Sequence, residues 1–398
     1  MTLTVVGIGA DGWTGLGDPG RDALLAAATL VGSERQLALL SAEVTGTRRP
    51  WPSPMEPLVD ELVASTAEEV AVLASGDPML HGIGATLARR AGADRVTVIP
   101  HSSAFALACA RLGWPEADVE LISAVGRPPE VVASALQPGR RIVVYVTGTD
   151  GAAQLARVLC ARGFATSTLT VLEQLGGPRE RRVDATAAAA TDLAADPLHL
   201  VAVEVAGGPA HARTPGLADD AFASDGQLTK RHVRAVTVSA LAPLPCELLW
   251  DVGAGNGSIA VEWLRAERTA GAVAIEARED RAARIEVNAL ALGVPSLRVV
   301  RGHAPEALEG LPAPDAIFVG GGITASGLLA GCWAALRPGG RLVANTVTLE
   351  GEQAVIAARG RHGGTLIRLD VAHAEPIGEF TGWRAQMPVV QWSVTKGV

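Results

Sequence analysis

Residues Asp251 to Trp263 read DVGAGNGSIAVEW. The apolar run Leu248–Trp250 enters this stretch and a run of helical spacing leaves it, so it reads as strand, glycine-rich turn, helix. Glycine has no Cβ, which lets the backbone turn sharply and lie against a ligand. Gly253, Gly255 and Gly257 give GxGxG, and Ser258 stands where a dinucleotide fingerprint would carry its third glycine. Asp251 lies two positions before the first glycine. Glu276 ends the next strand, AVAIE, in position to take the two hydroxyls of a ribose. From these residues the loop fits a ribose-bearing ligand, a nicotinamide dinucleotide or a plain tight turn. Asp251 fits either a ligand contact or a carboxylate that fixes the loop through backbone N–H groups.

The rest of the chain sets the frame. Its 398 residues exceed one compact core and predict two domains. Hydrophobic residues make up 48% but aromatic ones only 4%, so the cores should be built from small aliphatic side chains. A formal net charge of −8 argues against a nucleic-acid partner, which calls for a basic surface. Cys109, Cys160, Cys246 and Cys332 are widely spaced and form no CxxC pair, which points to a reducing compartment. The start, MTLTVVGIG, has no basic region, and no apolar run reaches the length of a membrane span. The expectation is a soluble cytoplasmic protein without a membrane partner. No metal-ligand spacing is present. His81, His101, His232 and His303 are isolated and read as structural or surface residues.

Short β-branched runs alternate with Ala/Leu-rich helical patterns, which predicts layered α/β domains. LTVVGIG, ATLVGS, EVAVLAS and RVTVIP read as strands in a first lobe, with helices in DALLAAA, GIGATLARRA and SAFALACARLG. VELISAV, RRIVVYVT, STLTVLEQL and HLVAVEV read as strands of a second lobe, with GAAQLARVLCARG as a helix. GGPAHARTPGLADD loses all periodicity and is the linker candidate, 207–220, between domains 1–206 and 221–398. Beyond it ELLWDVG, GAVAIEA, LRVVRG, DAIFVGG and GRLVANT read as strands with helices between them.

The pattern DxGxGxG followed by a strand that ends in an acid resembles class I S-adenosylmethionine (SAM) methyltransferases. GQLTKRHVRAVTVSAL before the first strand, RGHAPEAL after the third, DAIFVGGGIT and LRPGGRLVANTVTLE narrow this to the decarboxylating C15 methyltransferase family of cobalamin biosynthesis, over about Gly226 to Trp392. The resemblance implies that Thr229 touches the carboxylate end of SAM. It further implies that Gly253, Ala254, Gly255, Asn256 and Gly257 wrap the methionine and ribose, that Glu276 binds the ribose and that Ala304 lies by the adenine. The plainer alternatives are a helix cap for Thr229 and packing for Ala304.

The N-terminal VVGIGADG holds Gly7, Gly9 and Gly12, a literal GxGxxG. Its context fails for a dinucleotide, because WTGLGDPG intervenes before a helix that starts near Pro19 and ATLVGS ends in Gly32 and Ser33 rather than an acid. A glycine loop, then Gly76-Asp77-Pro78 at a strand end, then Ser102-Ser103 leading into a helix, resembles the tetrapyrrole methylase family, and within it the C5 methyltransferases, over Met1 to about Ala206. The resemblance implies a two-lobed fold with SAM in the cleft between lobes, met by Gly7, Gly9, Gly76, Asp77, Ser102 and Ser103. SAVGRP at 123–128 and TGTDG at 147–151 fit the second lobe. His101 stands where a small residue is expected, and Val125 where a His is common.

The joined pair is similar to the bifunctional corrin-pathway methyltransferases. The fold class implied is α/β, a two-lobed tetrapyrrole methylase fold followed by a Rossmann-like class I methyltransferase fold. The activity implied is methylation of one precorrin-type tetrapyrrole at C5 and C15, with decarboxylation of the C12 acetate side chain and two SAM sites per chain. A carboxylate-rich substrate calls for basic residues at each cleft. Arg127, Lys230, Arg231 and Arg234 are the candidates, against a reading as solvated surface charges. Both domain families self-associate, so a homo-oligomer is expected. The rival classes are a methyltransferase for RNA, another tetrapyrrole or another small molecule, and a non-catalytic tetrapyrrole-binding protein.

Overall fold

The computed structural model describes residues 3–65 and 69–397. Five parallel strands build the first sheet: β1 (Leu3–Ile8), β2 (Thr29–Gly32), β3 (Thr47–Pro50), β4 (Val70–Ser75) and β5 (Val96–Ile99), in the order β3-β2-β4-β1-β5. A parallel sheet is covered on both faces, so its inner strands must be apolar throughout. Accordingly Val5, Val6, Ile8, Leu30, Val31, Val72 and Leu73 are all buried. Helices α1 (Asp18–Ala26), α2 (Glu34–Ala38), α3 (Glu56–Ala64), α4 (Ile83–Ala91) and α5 (Ala104–Leu112) connect the strands and lead out of the sheet. Parallel connections place every turn after a strand at one carboxyl edge, which gathers Gly9, Ser33, Gly76 and Ser102–Ser103.

A second five-stranded sheet follows: β6 (Val119–Ser123), β7 (Arg141–Tyr145), β8 (Thr168–Glu173), β9 (Arg181–Thr186) and β10 (His199–Glu204), ordered β6-β7-β10-β8-β9. Only β6 and β7 are parallel; the other pairs are antiparallel. Helix α6 (Gly151–Ala161) packs its buried face, Ala152, Leu155, Ala156 and Leu159, into this lobe.

The third sheet has seven strands. These are β11 (Leu248–Val252), β12 (Gly271–Glu276), β13 (Arg298–Arg301), β14 (Ala316–Val319), β15 (Arg341–Thr346), β16 (Thr365–Leu369) and, after the separate hairpin β17 (Ala372–Ile377) and β18 (Phe380–Ala385), β19 (Val389–Thr395). Their order is β13-β12-β11-β14-β15-β19-β16, with β19 antiparallel to both neighbours. Helices α7 (Arg231–Leu241), α8 (Ser258–Ala266), α9 (Glu279–Ala291), α10 (Leu328–Ala335) and α11 (Leu349–His362) accompany it. The strand order reverses between β11 and β14, and open α/β sheets bind ligands outside the carboxyl ends at such a switch point.

Packing divides the chain into two units, Met1–Pro129 with Gln137–Pro209, and Glu130–Leu136 with Ala210–Val398. The linker candidate, 207–220, spans this division, and from Ala210 on it packs with the second unit. The Glu262 carboxylate accepts the N–H groups of Gly216 and Leu217 at 2.6 and 3.0 Å, and Arg265 donates to the carbonyls of His211 and Ala212. Low periodicity here reflects a segment held by buried charges rather than by an apolar stripe. Strands β3, β9 and β16 to β19 were not anticipated; β3 reads only TRRP and β9 is largely exposed RRVDAT.

Candidate functional site

In the first unit, three turns close on one another through glycines. A Cβ on Gly7 would run into the Gly76 carbonyl and lie 2.7 Å from the His101 nitrogen. Gly7 thus lets the strand ends approach and sits behind the site rather than in its wall. Gly9 leaves no room either: its Cβ would meet Asp11 Oδ1 at 2.5 Å and His101 Cε1 at 2.9 Å. His101 holds Asp11 Oδ2 at 3.3 Å from its Nε2 and so ties the first turn to the third. Gly12 opens a single 3-10 turn, Gly12–Gly15, and not an α-helix, which agrees with rejecting a dinucleotide loop here.

These turns border a cleft of about 420 Å³ whose lining includes Gly9, Gly76, Asp77, Ser102 and Ser103. The size falls in the range of small-molecule sites. Asp77 Oδ1 accepts the Met79 N–H at 2.8 Å, and Ser103 Oγ caps α5 by accepting from Ala106 at 3.0 Å. The second lobe contributes Tyr145, Leu172, Leu200 and His199. The Tyr145 hydroxyl accepts the Phe105 N–H at 3.2 Å, and burial pushes its pKa up. His199 Nδ1 lies 2.7 Å from the Asp196 carbonyl, which fixes that nitrogen as the donor, and burial pushes the imidazole pKa down. Sequence reasoning missed Tyr145, His199 and Arg35, all in the cleft lining. Arg127 is exposed in a turn closed by its own N–H to the Ala124 carbonyl, outside that lining.

In the second unit, the glycine turn after β11 faces Glu276 at the end of β12. The Glu276 carboxylate is buried and accepts the Gly255 N–H at 2.8 Å and the Arg278 N–H at 2.9 Å. The three glycines have different jobs. At Gly253, φ +67°, an added Cβ would lie 2.8 Å from the Gly321 backbone in the VGGG turn, and a Cβ on Gly257 would strike Ile285 at 2.8 Å. Gly255, at φ +59°, has an open face, since a Cβ there would meet only the Gln227 carbonyl, at 3.9 Å. Ala254 donates its N–H to the Ile275 carbonyl at 3.1 Å. Asn256 donates to Asp225 and to the Gln227 carbonyl, while its own Oδ1 is buried without a donor. Hydrogen bonds from Asn256 and Arg281 hold the Asp225 carboxyl well below the usual carboxylate range.

Asp251 resolves its two readings as an anchor. It is fully buried below the loop, and its Oδ2 accepts the Ala260 N–H at 3.0 Å. Burial pushes its pKa up to about 7, with the nearby Glu276 carboxylate adding to the effect. Thr229 is half-buried just before α7, whose N-terminal boundary residue is Lys230. Ala304 follows β13 and packs, half-buried, on the apolar cluster that contains Trp250 and Ile275. Lys230 and Arg231 are exposed.

Arg234, expected at a cleft rim, is instead in the interior. It has no exposed surface, donates to Glu262 at 2.5 Å, to Asp219 at 3.2 Å and to the carbonyls of Thr229 and Leu217, and lies 4.6 Å from the Phe222 ring centre. A guanidinium with no exposed surface, held on all three nitrogens by its own chain, is out of reach of a substrate carboxylate. Helix α7 turns Arg234 inward together with Val233, Thr237 and Val238.

Both sites fit SAM. The second offers a backbone face with no Cβ, a buried acid under the loop and an unpaired Asn256 Oδ1. The first offers a cleft of adequate volume bordered by three glycine- or serine-bearing turns.

Two family models match, one described as tetrapyrrole (corrin/porphyrin) methylases over residues 2–191 and one as a precorrin methyltransferase domain over residues 220–396. A precorrin-6Y C(5,15)-methyltransferase [decarboxylating] from Sinorhizobium sp is 47% identical over 398 residues, covering 99% of this chain and 96% of that one. The protein of the same name from Mycobacterium tuberculosis is 49% identical over 397 residues, covering 99% of this chain and all of that one. Among solved structures, the C-terminal domain of precorrin-6Y C5,15-methyltransferase from Rhodobacter capsulatus is 47% identical and covers 47% of this chain and all of that one, with a TM-score of 0.45. Likeness of this degree along the whole chain carries the conclusion: the chain belongs to the precorrin-6Y C5,15-methyltransferase (decarboxylating) family.

Proposed function

We propose that this chain performs two SAM-dependent methylations on one precorrin-type macrocycle, at C5 in the first unit and at C15 in the second, and that the second unit also releases the C12 acetate carboxyl as carbon dioxide. The observation that carries this reading is that one chain holds two glycine-bearing turns, each at the carboxyl ends of parallel strands in its own sheet. Two SAM sites per chain are part of the same reading.

SAM supplies a methyl group already activated by its sulfonium. The chain must hold an electron-rich ring carbon in line with that methyl and keep water away, and such positioning can supply on the order of 7–11 kcal/mol. In the second unit, Glu276 and the Gly253–Gly257 turn hold the nucleoside end. In the first, Asp77, Ser102 and Ser103 lie along the cleft while Leu172 and Leu200 make part of it apolar. Decarboxylation draws its electron sink from the conjugated ring, and the protein's part is to place one carboxylate where solvation is poor.

Incubation with a precorrin-6-type substrate and isotope-labelled SAM tests the reading. The expected product carries two labelled methyls and has lost one carboxyl. A product with neither change overturns it and favours a binding protein. Self-association belongs to the same reading. The exposed side chains Ile377, Phe380 and Trp383 of hairpin β17–β18 support it, and light scattering of a Phe380→Ser/Trp383→Ser variant tests it. Four unpaired cysteines support a cytoplasmic location, and among the described residues no helix is long and apolar enough to cross a membrane.

A further inference from the structure

The macrocycle carries peripheral carboxylates, yet Arg127, the cation expected for them in the first unit, does not line the cleft. Among the described residues of that lining, one Lys or Arg is present: Arg35, near the start of α2. Its setting is unusual for an arginine. The side chain is half-buried, and the desolvation is strong enough to lower its pKa, although a guanidinium stays cationic throughout the working range. Its hydrogen bond goes from Nη2 to Ser75 Oγ at 3.0 Å. It takes part in no ion pair among the described residues, and Asp196 acts on it only through longer-range attraction. Asp196 is turned to its own lobe, where its Oδ1 accepts from Gln174 and from the Leu198 N–H at 2.8 Å each.

A partly desolvated guanidinium with unused donors is costly unless an anion completes it. The position is also built. Ser75 ends β4 and receives a second hydrogen bond, from Gln36 Nε2 at 3.1 Å. Gln36 in turn is locked to Ser33 by a reciprocal cap at the start of α2. Arg35 is thereby held to the residue directly before Gly76-Asp77, the turn placed at the methyl donor. Beside it in the same lining stand Trp51, tied by its N–H to the Gly32 carbonyl at 3.0 Å, and the exposed Met55. One cation next to an apolar wall matches the edge of a flat conjugated ring with acidic side chains.

We infer that Arg35 anchors a peripheral carboxylate of the macrocycle in the first unit's cleft, with Trp51 and Met55 as the apolar surface beside it. The inference rests on the reading that this unit methylates C5. Its readouts, in the full-length protein, are C5-methyl incorporation by mass spectrometry, substrate affinity by absorbance titration and SAM affinity by calorimetry. Arg35→Gln should raise KM for the C5 step about tenfold to a hundredfold, the loss of a charge-assisted pair. It should change kcat much less and leave C15 methylation and carbon dioxide release intact. Arg35→Lys should restore part of the affinity. The methyl-esterified substrate separates anchoring from support of the fold. The wild type should bind the ester more weakly than the acid, whereas Arg35→Gln should bind both alike. Equal discrimination by wild type and variant, or an unchanged KM in Arg35→Gln, overturns this inference and leaves the C5 reading in place. A wild-type protein that adds no methyl at C5 overturns both.

Discussion

Burial raises the Asp251 carboxyl to about 7, against about 3.9 for an unperturbed aspartate. The folded state therefore holds a proton that the unfolded chain has given up between those two values. Stability should fall as pH rises from about 4 to about 7 and then level off, with the whole effect bounded at about 4 kcal/mol. Asp251→Asn keeps a carbonyl for the Ala260 N–H and removes the titration. Its thermal midpoint should match the wild type near pH 4 and exceed it at pH 8; a constant difference across that range would contradict the burial argument. Glu276 makes a different prediction, since its carboxylate sits under the open face of Gly255. Glu276→Ala should weaken SAM binding at the second site about tenfold to a hundredfold and leave the first site unchanged. Two-site calorimetry checks this, and an unaltered titration removes Glu276 from the nucleoside site.

At the scale of turns and strands, the glycines divide by what lies over them. A side chain at Gly255 points into open space, so Gly255→Val should block the second site, with a left-handed strain of about 1–2 kcal/mol in addition. Methylation at C15 and carbon dioxide release should both disappear while C5 methylation persists. At Gly9 the added carbon collides with Asp11 and His101. Gly9→Val should therefore abolish C5 methylation by displacing the turn, not by filling the cleft, and should lower the unfolding midpoint as well. If carbon dioxide release also stops in a folded Gly9→Val protein, the division of reactions between units is wrong. This contrast marks what a sequence discloses. The strand–turn–acid grammar from Asp251 to Glu276 is local, and so are the runs that became β1, β4, β11 and β12. Among the strands that escaped notice, β3 and β9 are polar, largely exposed edge strands, so neither carries the apolar run that marks an inner strand. Arg234 misled because a charge at the start of a helix looks exposed until Glu262, 28 residues on, is seen to neutralise it. Arg35 escaped for the converse reason: nothing near it in sequence reveals that its side chain borders a cleft.

For the molecule as a whole, the interior charges set where it can be divided. A fragment beginning at 221 strips Arg234 of Asp219 and the Leu217 carbonyl, and Glu262 of two N–H donors. Each hydrogen bond lost from a buried charge costs about 1.5–3 kcal/mol. The 221–398 fragment should therefore melt at least about 6 °C below 210–398, scaled for a unit of this size. Scanning calorimetry of the two decides it, and equal midpoints would mean that the 210–220 segment contributes nothing.

The chain holds a single tyrosine, and it is Tyr145, in the lining of the first unit's cleft with its hydroxyl on the Phe105 N–H. Fluorotyrosine incorporation would therefore give one fluorine resonance per chain, and that nucleus would report on one catalytic unit while remaining blind to the other. Titrated with the methyl donor, the resonance should shift with the affinity of the first site alone, and in Gly255→Val the curve should be unchanged. The same nucleus should shift again when macrocycle enters, so the order in which donor and acceptor load can be followed without waiting for a turnover.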